Sequence, residues 1–174
     1  MGVGPERATT TAGRVLGEQS FAAVWSTGFA CALGQAVIGE VLIGTHVTME
    51  GGAEDGRSVP WAAAGAGGGR EAGERQRRPV QAGQFVSVPR VLCRAEDKQE
   101  IATRAGGVGL DMESAALGFV ASERKIPFVI VRTASDLVDE SLPLDFNLFL
   151  RPSGWVKGVA ACLAHPTSLI GLNR

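Results

Sequence analysis

The chain has 174 residues, of which 45% are hydrophobic and 20% charged, and a formal net charge of −1, enough for one domain with a real core. With no basic stripe and no interleaved aromatics, the electrostatic footprint of a nucleic-acid binder is excluded, and a locally recognised small molecule is the expected partner. No apolar run approaches the ~20 residues that a bilayer crossing needs, and no basic start leads into an apolar region, so the sequence predicts a cytoplasmic protein with no membrane span.

In chain order, Gly2-Val3-Gly4-Pro5 is a glycine turn that leads into a helix over Glu6–Leu16. Phe21–Trp25 is a short apolar strand stopping at Ser26-Thr27-Gly28, and Val37–Val47 is a second β-rich stretch after Gly34. From about 50 to 83 the composition changes to Gly/Ala-rich and then basic, including Gly65–Gly69 and Arg75-Gln76-Arg77-Arg78. This is read as a low-complexity insert within a single domain spanning 1–174. No strand leads into Gly65–Arg70 and no Gly-Lys-Ser/Thr ends it, so it is not a phosphate loop.

Strand character returns over Gln84–Leu92 around Pro89, followed by a charged helix over Arg94–Arg104. The next helix is predicted over Asp111–Arg124, with Asp111 as N-cap and Glu113 in the first turn, where the helix dipole favours an anion. Pro127 then releases Phe128–Val131, a continuous apolar run typical of a strand covered on both faces. Helix followed by buried strand predicts a parallel α/β layer. A Pro- and Asp-containing loop over Ser141–Pro152 and a helix over Trp155–Ala164 complete the reading. Cys31, Cys93 and Cys162 are odd in number and far apart, and His46 and His165 stand alone, so neither a zinc site nor any other metal is predicted.

In open parallel sheets ligands collect beyond the carboxyl ends of strands, which is where Arg132-Thr133-Ala134-Ser135-Asp136 is expected. By position alone Asp136 is equally a turn-capping residue, Glu113 a dipole partner and Met112 core filler. The pairing of Asp111-Met112-Glu113-Ser114-Ala115-Ala116 with Val131–Asp136 some twenty residues on resembles the signature of the nucleoside phosphorylase and nucleosidase superfamily. Gly2-Val3-Gly4, Ser26-Thr27-Gly28 and Gly39-Glu40-Val41 follow that family's motifs in order.

The resemblance implies an α/β fold, a three-layer α/β/α sandwich around a mixed, largely parallel sheet. It implies a purine nucleoside as substrate, no cofactor, and a homo-oligomer. Glu113 would accept hydrogen bonds from the ribose hydroxyls, Met112 would pack against the sugar, and Asp136 would act on purine N7. Ser135, Val91 and Leu92 would lie at the base, Arg132 near the attacking water, and Gly4, Thr27 and Gly28 on the nucleophile side.

The chemistry explains these residue types. Breaking the N-glycosidic bond builds positive charge on the sugar and negative charge on the base, so an acid at N7 lowers the barrier and a carboxylate at the ribose favours a cationic transition state.

Phe29 stands where the family places Ser or Thr, Ala30-Cys31-Ala32 replaces Ala-Gly-Gly, and the insert replaces a substrate-facing loop. Hydrolysis of an adenosyl compound is therefore expected ahead of phosphorolysis, in which phosphate would be co-substrate, and ahead of an inactive nucleoside-binding remnant. The chain also reads as truncated at both ends of the fold, which predicts uncovered sheet edges. Within the family, Arg90-Val91-Leu92, Asp111–Ser114 and Leu142-Pro143 are most similar to the phosphorylase-like group found with hopanoid biosynthesis.

Overall fold

The computed structural model describes residues 4–51, 59–60, 79–143 and 147. Helix α1 (Pro5–Glu18) follows Gly4, with Pro5 in its first turn, where a missing N–H costs nothing. It buries Ala8 and Ala12 and packs on helix α3 (Ser114–Glu123). The strands are β1 (Val24–Ala32), β2 (Val41–Met49), β3 (Val59–Pro60), β4 (Val80–Ser87), β5 (Gly109–Asp111) and β6 (Phe128–Leu137). Helix α2 (Ala95–Ala105) connects β4 to β5, within one residue at each end of its expected span.

The architecture is the expected α/β fold with a mixed sheet. Strands β1 and β6, β2 and β4, and β4 and β5 pair in parallel, whereas β5 with β1, and β2 with β3 and with β6, are antiparallel. The order β3-β2-β4-β5-β1-β6 is joined by a further β2–β6 pairing, so five strands close on themselves into a barrel. The expectation of two uncovered edges is thereby corrected at β6, which pairs with β2, while the two-residue β3 remains outside the ring. Closure needs β2 and β6 to approach closely at Gly44, which lies opposite Ile130. A Cβ at Gly44 would fall 2.8 Å from two side-chain carbons of Ile130.

Alternation along the strands sorts the core into two clusters. Ala30, Ala32 and Phe85 join Leu42, Ile130 and Ala115 of α3, while their neighbours Cys31, Leu33 and Val86 join Val88, Leu110 and Ile101 of α2. The helices thus cover the sheet from two sides, giving the three layers.

Several boundaries differ from the sequence reading. β1 starts at Val24 and runs through Ser26-Thr27-Gly28 instead of stopping there, because Ser26 is buried on polar partners and Gly28 pairs with Arg132 of β6. Val37 and Ile38 are exposed, and β2 begins only at Val41. β4 occupies 80–87 and not 84–92, so its first half falls inside the predicted insert, where it pairs with β2. Its end precedes Pro89, whose missing N–H cannot serve a ladder. Residues 52–58 and 61–78 of the insert, and the Trp155–Ala164 helix, lie outside the described residues. Asp111 ends β5, and the helix predicted from it starts at Ser114. Arg132–Asp136 continues β6 and is not a loop beyond it.

If Gly44 permits barrel closure, Gly44→Ala should destabilise the fold by about 1–3 kcal/mol, read from urea unfolding. Gly13→Ala, in α1 with nothing within 4 Å of the added Cβ, should be neutral or stabilising by up to about 1 kcal/mol.

Candidate active site

Beneath the site lies a buried polar knot. The Arg132 guanidinium donates to Asp111 Oδ2 at 2.6 Å, Ser26 Oγ at 2.9 Å, Ser114 Oγ at 3.0 Å and the Thr27 carbonyl at 3.0 Å. Asp111 is also held by Ser87 Oγ at 2.6 Å and by the Ser114 backbone N–H and hydroxyl. Ser87 Oγ accepts the Ala115 N–H at 2.9 Å. Asp111 and Ser87 therefore satisfy the first free amides of α3, the task a helix N-cap side chain ordinarily performs.

Gly28 (φ +141) takes a conformation few side chains adopt, and a Cβ there would lie 2.8 Å from the Arg132 guanidinium. The glycine admits Arg132, and this is the local reason why β1 carries one.

Above the knot a cleft of about 210 Å³ opens between β1, β6 and the segments that follow β4 and β5. It brings together Met112, Glu113, Ser135, Asp136, Val91 and Leu92, all of the sugar- and base-side residues expected from the sequence. Phe29, 74% exposed, and Arg90 also line it.

Glu113 occupies the N-cap position of α3, and its Oε1 accepts the Gly4 N–H at 2.9 Å. That bond joins the glycine turn to the candidate sugar side. Gly4, Thr27, Gly28 and Arg132 are not among the cleft-lining residues. Arg132 is 7% exposed with its bonds directed into the knot. The side chain expected near the attacking water is thus buried and lies outside the cleft lining.

Asp136 is not an isolated acid. Lys98 Nζ, fully buried on α2, lies 2.6 Å from its Oδ2, and Ser135 Oγ donates to its Oδ1 at 2.8 Å. Lys98 escaped the sequence reading, although a lysine three residues before Ile101 on the inner face of α2 is a signal of a buried charge with a partner. Asn147 was also missed: its side chain accepts the Val91 N–H at 3.0 Å and donates to the Val91 carbonyl at 2.8 Å, fixing the loop after β4. No sequence pattern links two residues so far apart.

Cys31 borders the cleft, and its thiol is pushed far above its ordinary value by burial first and by the Asp136 charge second. Among the described residues no group of three or more His, Cys, Asp or Glu side chains is placed to hold a metal ion, and no helix is long and apolar enough to cross a membrane.

A sequence profile described as the phosphorylase superfamily matches residues 1–151. In structure the chain is similar to a 5'-methylthioadenosine/S-adenosylhomocysteine nucleosidase of Campylobacter jejuni, with a TM-score of 0.73 and 20% identity over 92% of this chain and 77% of that one. A Helicobacter pylori nucleosidase mutant, solved with 5'-methylthioadenosine in its active site, gives a TM-score of 0.75 at 17% identity, covering 94% and 77%. A mutant futalosine hydrolase of Helicobacter pylori gives 0.69 at 16% identity, covering 76% and 67%. At these identities the likeness is one of fold.

Removing one partner of the buried pair should be costly: Arg132→Met leaves Asp111 uncompensated and should lose about 3–5 kcal/mol in urea unfolding. Cys31 should resist iodoacetamide at pH 8 in the folded protein and react after denaturation, as peptide mass mapping would show. Because its folded thiol holds its proton more tightly than the unfolded one, Cys31 stabilises the fold less as pH rises above its ordinary value of 9.0.

Proposed function

The chain belongs to the phosphorylase superfamily, and on that premise we propose that it cleaves the N-glycosidic bond of a purine nucleoside by hydrolysis, with an adenosyl compound as substrate. The observation that carries this reading is the single cleft in which Met112 and Glu113, from the β5–α3 junction, meet Ser135 and Asp136 of β6. Glu113 accepts hydrogen bonds from the ribose hydroxyls and favours the positive charge that develops on the sugar. Met112 packs against the sugar, and Val91 and Leu92 flank the base.

As the C–N bond breaks, its electron pair passes to the base and Asp136 delivers a proton to N7. Water oxygen bonds to the anomeric carbon, and the proton it sheds restores Asp136, so base and free sugar leave with no change in the protein.

Hydrolysis is favoured over phosphorolysis because an expected anion-side group, the Gly4 N–H, is already bonded to Glu113, and Phe29 stands where the family places Ser or Thr. In this reading Arg132 is a positioning residue: through Asp111 it holds the start of α3, and with it Met112 and Glu113.

The resemblance to the hopanoid-associated group adds an adenosyl-linked lipid precursor as a substrate to try. Self-association belongs to the same proposal, supported by Trp25 and Phe29, which stand 60% and 74% exposed on β1.

Purified protein should release adenine from 5'-methylthioadenosine or a related adenosyl thioether equally with and without phosphate, the base and sugar being identified by mass. D136N should lower kcat about 10²–10⁴-fold, and Glu113→Gln should lower kcat/KM about 10–100-fold through weaker ribose recognition. Unchanged adenine release by D136N would exclude Asp136 as the acid, and release only with phosphate would make the enzyme a phosphorylase.

A further inference from the structure

Lys98 is a charged side chain with no solvent exposure, and the proposed chemistry leaves it without a task. Its ammonium has three N–H donors and meets three acceptors: Asp136 Oδ2 at 2.6 Å, the Leu137 carbonyl at 3.2 Å and the Glu140 carbonyl at 2.8 Å. All three lie at the end of β6 or in the turn after it, which Glu140 N–H closes onto the Leu137 carbonyl at 3.2 Å. The same turn is tied to the start of α2 by the Ala95 N–H on Ser141 Oγ at 3.1 Å, and to the loop before it by the Leu142 N–H on the Cys93 carbonyl at 2.8 Å. Leu142 then forms part of the cleft wall. One side chain thus links α2 to both Asp136 and a wall of the cleft.

A buried ammonium is retained only where its partners are well placed. Here the partners comprise one carboxylate in the cleft and two carbonyls that fix the backbone beside it. Resting on the nucleoside reading above, we infer that Lys98 is a positioning residue for the departing base. It orients Asp136 in the cleft and, as in the ion pair seen here, stabilises the carboxylate left once a protonated Asp136 has passed its proton to N7. The ammonium itself keeps its three protons throughout, so no further proton donor or acceptor is required. The side of the cleft that receives the base is therefore built by α2 as well as by β6.

The test is a double-mutant cycle on the full chain, reading adenine binding by calorimetry for wild type, Lys98→Gln, D136N and K98Q/D136N. Each single variant should weaken adenine binding about tenfold or more, and the double variant should bind no more weakly than D136N, which is the sign of a shared interaction. Lys98→Met is a second probe, and Lys98→Gln keeps donors for the two carbonyls if the methionine variant fails to fold.

In turnover, Lys98→Gln should lower kcat about tenfold or more while KM moves about threefold or less, since Glu113 and Met112 still hold the ribose. Additive losses, a Lys98→Gln protein that binds adenine as wild type does, or a wild type that does not bind adenine at millimolar concentration would overturn the inference. A wild type that binds adenine but cleaves no nucleoside would instead overturn the proposed hydrolysis, and the binding cycle would still decide the role of Lys98.

Discussion

The ion pair between Arg132 and Asp111 is the constraint on which the rest of the structure depends. It crosses the interior between β6 and β5, with side chains 7% and 2% exposed, and such burial is costly unless the remaining lone pairs and protons find partners. Ser26, Ser87, Ser114 and the Thr27 carbonyl supply them for Asp111 and for both terminal nitrogens of Arg132, while Arg132 Nε is left without one. They come from β1, β4 and α3, so the polar contacts tie four strands and a helix at one point. Gly28 belongs to the same device because its missing side chain makes room for the guanidinium.

The cleft inherits its geometry from that knot. Asp111 ends β5 and caps the first free amide of α3, so Met112 and Glu113 project from a junction held at both ends. Glu113 is further secured by the Gly4 N–H, which brings the chain's first described residue to the β5–α3 junction. On the opposite wall a second buried ion pair, Lys98 with Asp136, couples α2 to the end of β6. Each pair borders the cleft through its aspartate, but Asp111 is 2% exposed and Asp136 15%, so the first sets the frame and the second is the more accessible carboxylate. Side chains held by packing and secondary contacts in this way are preorganised, and electrostatic catalysis depends on that condition.

Barrel closure is what brings these walls together. Strand β6 pairs with β1 on one side and, through the Gly44–Ile130 approach, with β2 on the other. The layer read from sequence as a sheet with loose ends is therefore continuous at β2 and β6, and among the described strands only the short β3 lies outside the ring. Both hydrophobic clusters draw on adjacent residues of the same strands, so a one-residue slip would exchange their contents and move Asp136 away from the cleft.

By itself the sequence determined the elements whose periodicity is local: α1, α2 and the apolar start of β6 fall where pattern and glycine or proline punctuation place them. The Asp111–Ser114 and Val131–Asp136 motifs also singled out residues that line one cleft, Met112, Glu113, Ser135 and Asp136, because their side-chain types are legible without coordinates. Tertiary structure decided the boundaries at the polar residues. Ser26, Asp111 and Arg132 read as turn, cap and loop in isolation, yet each is a strand residue whose polar group is satisfied by partners remote in sequence. It also decided the company of Asp136, since a lysine thirty-eight positions earlier meets it only when α2 lies against β6. Local patterns report which face of an element is apolar, whereas the pairing of buried charges depends on which elements the fold makes neighbours.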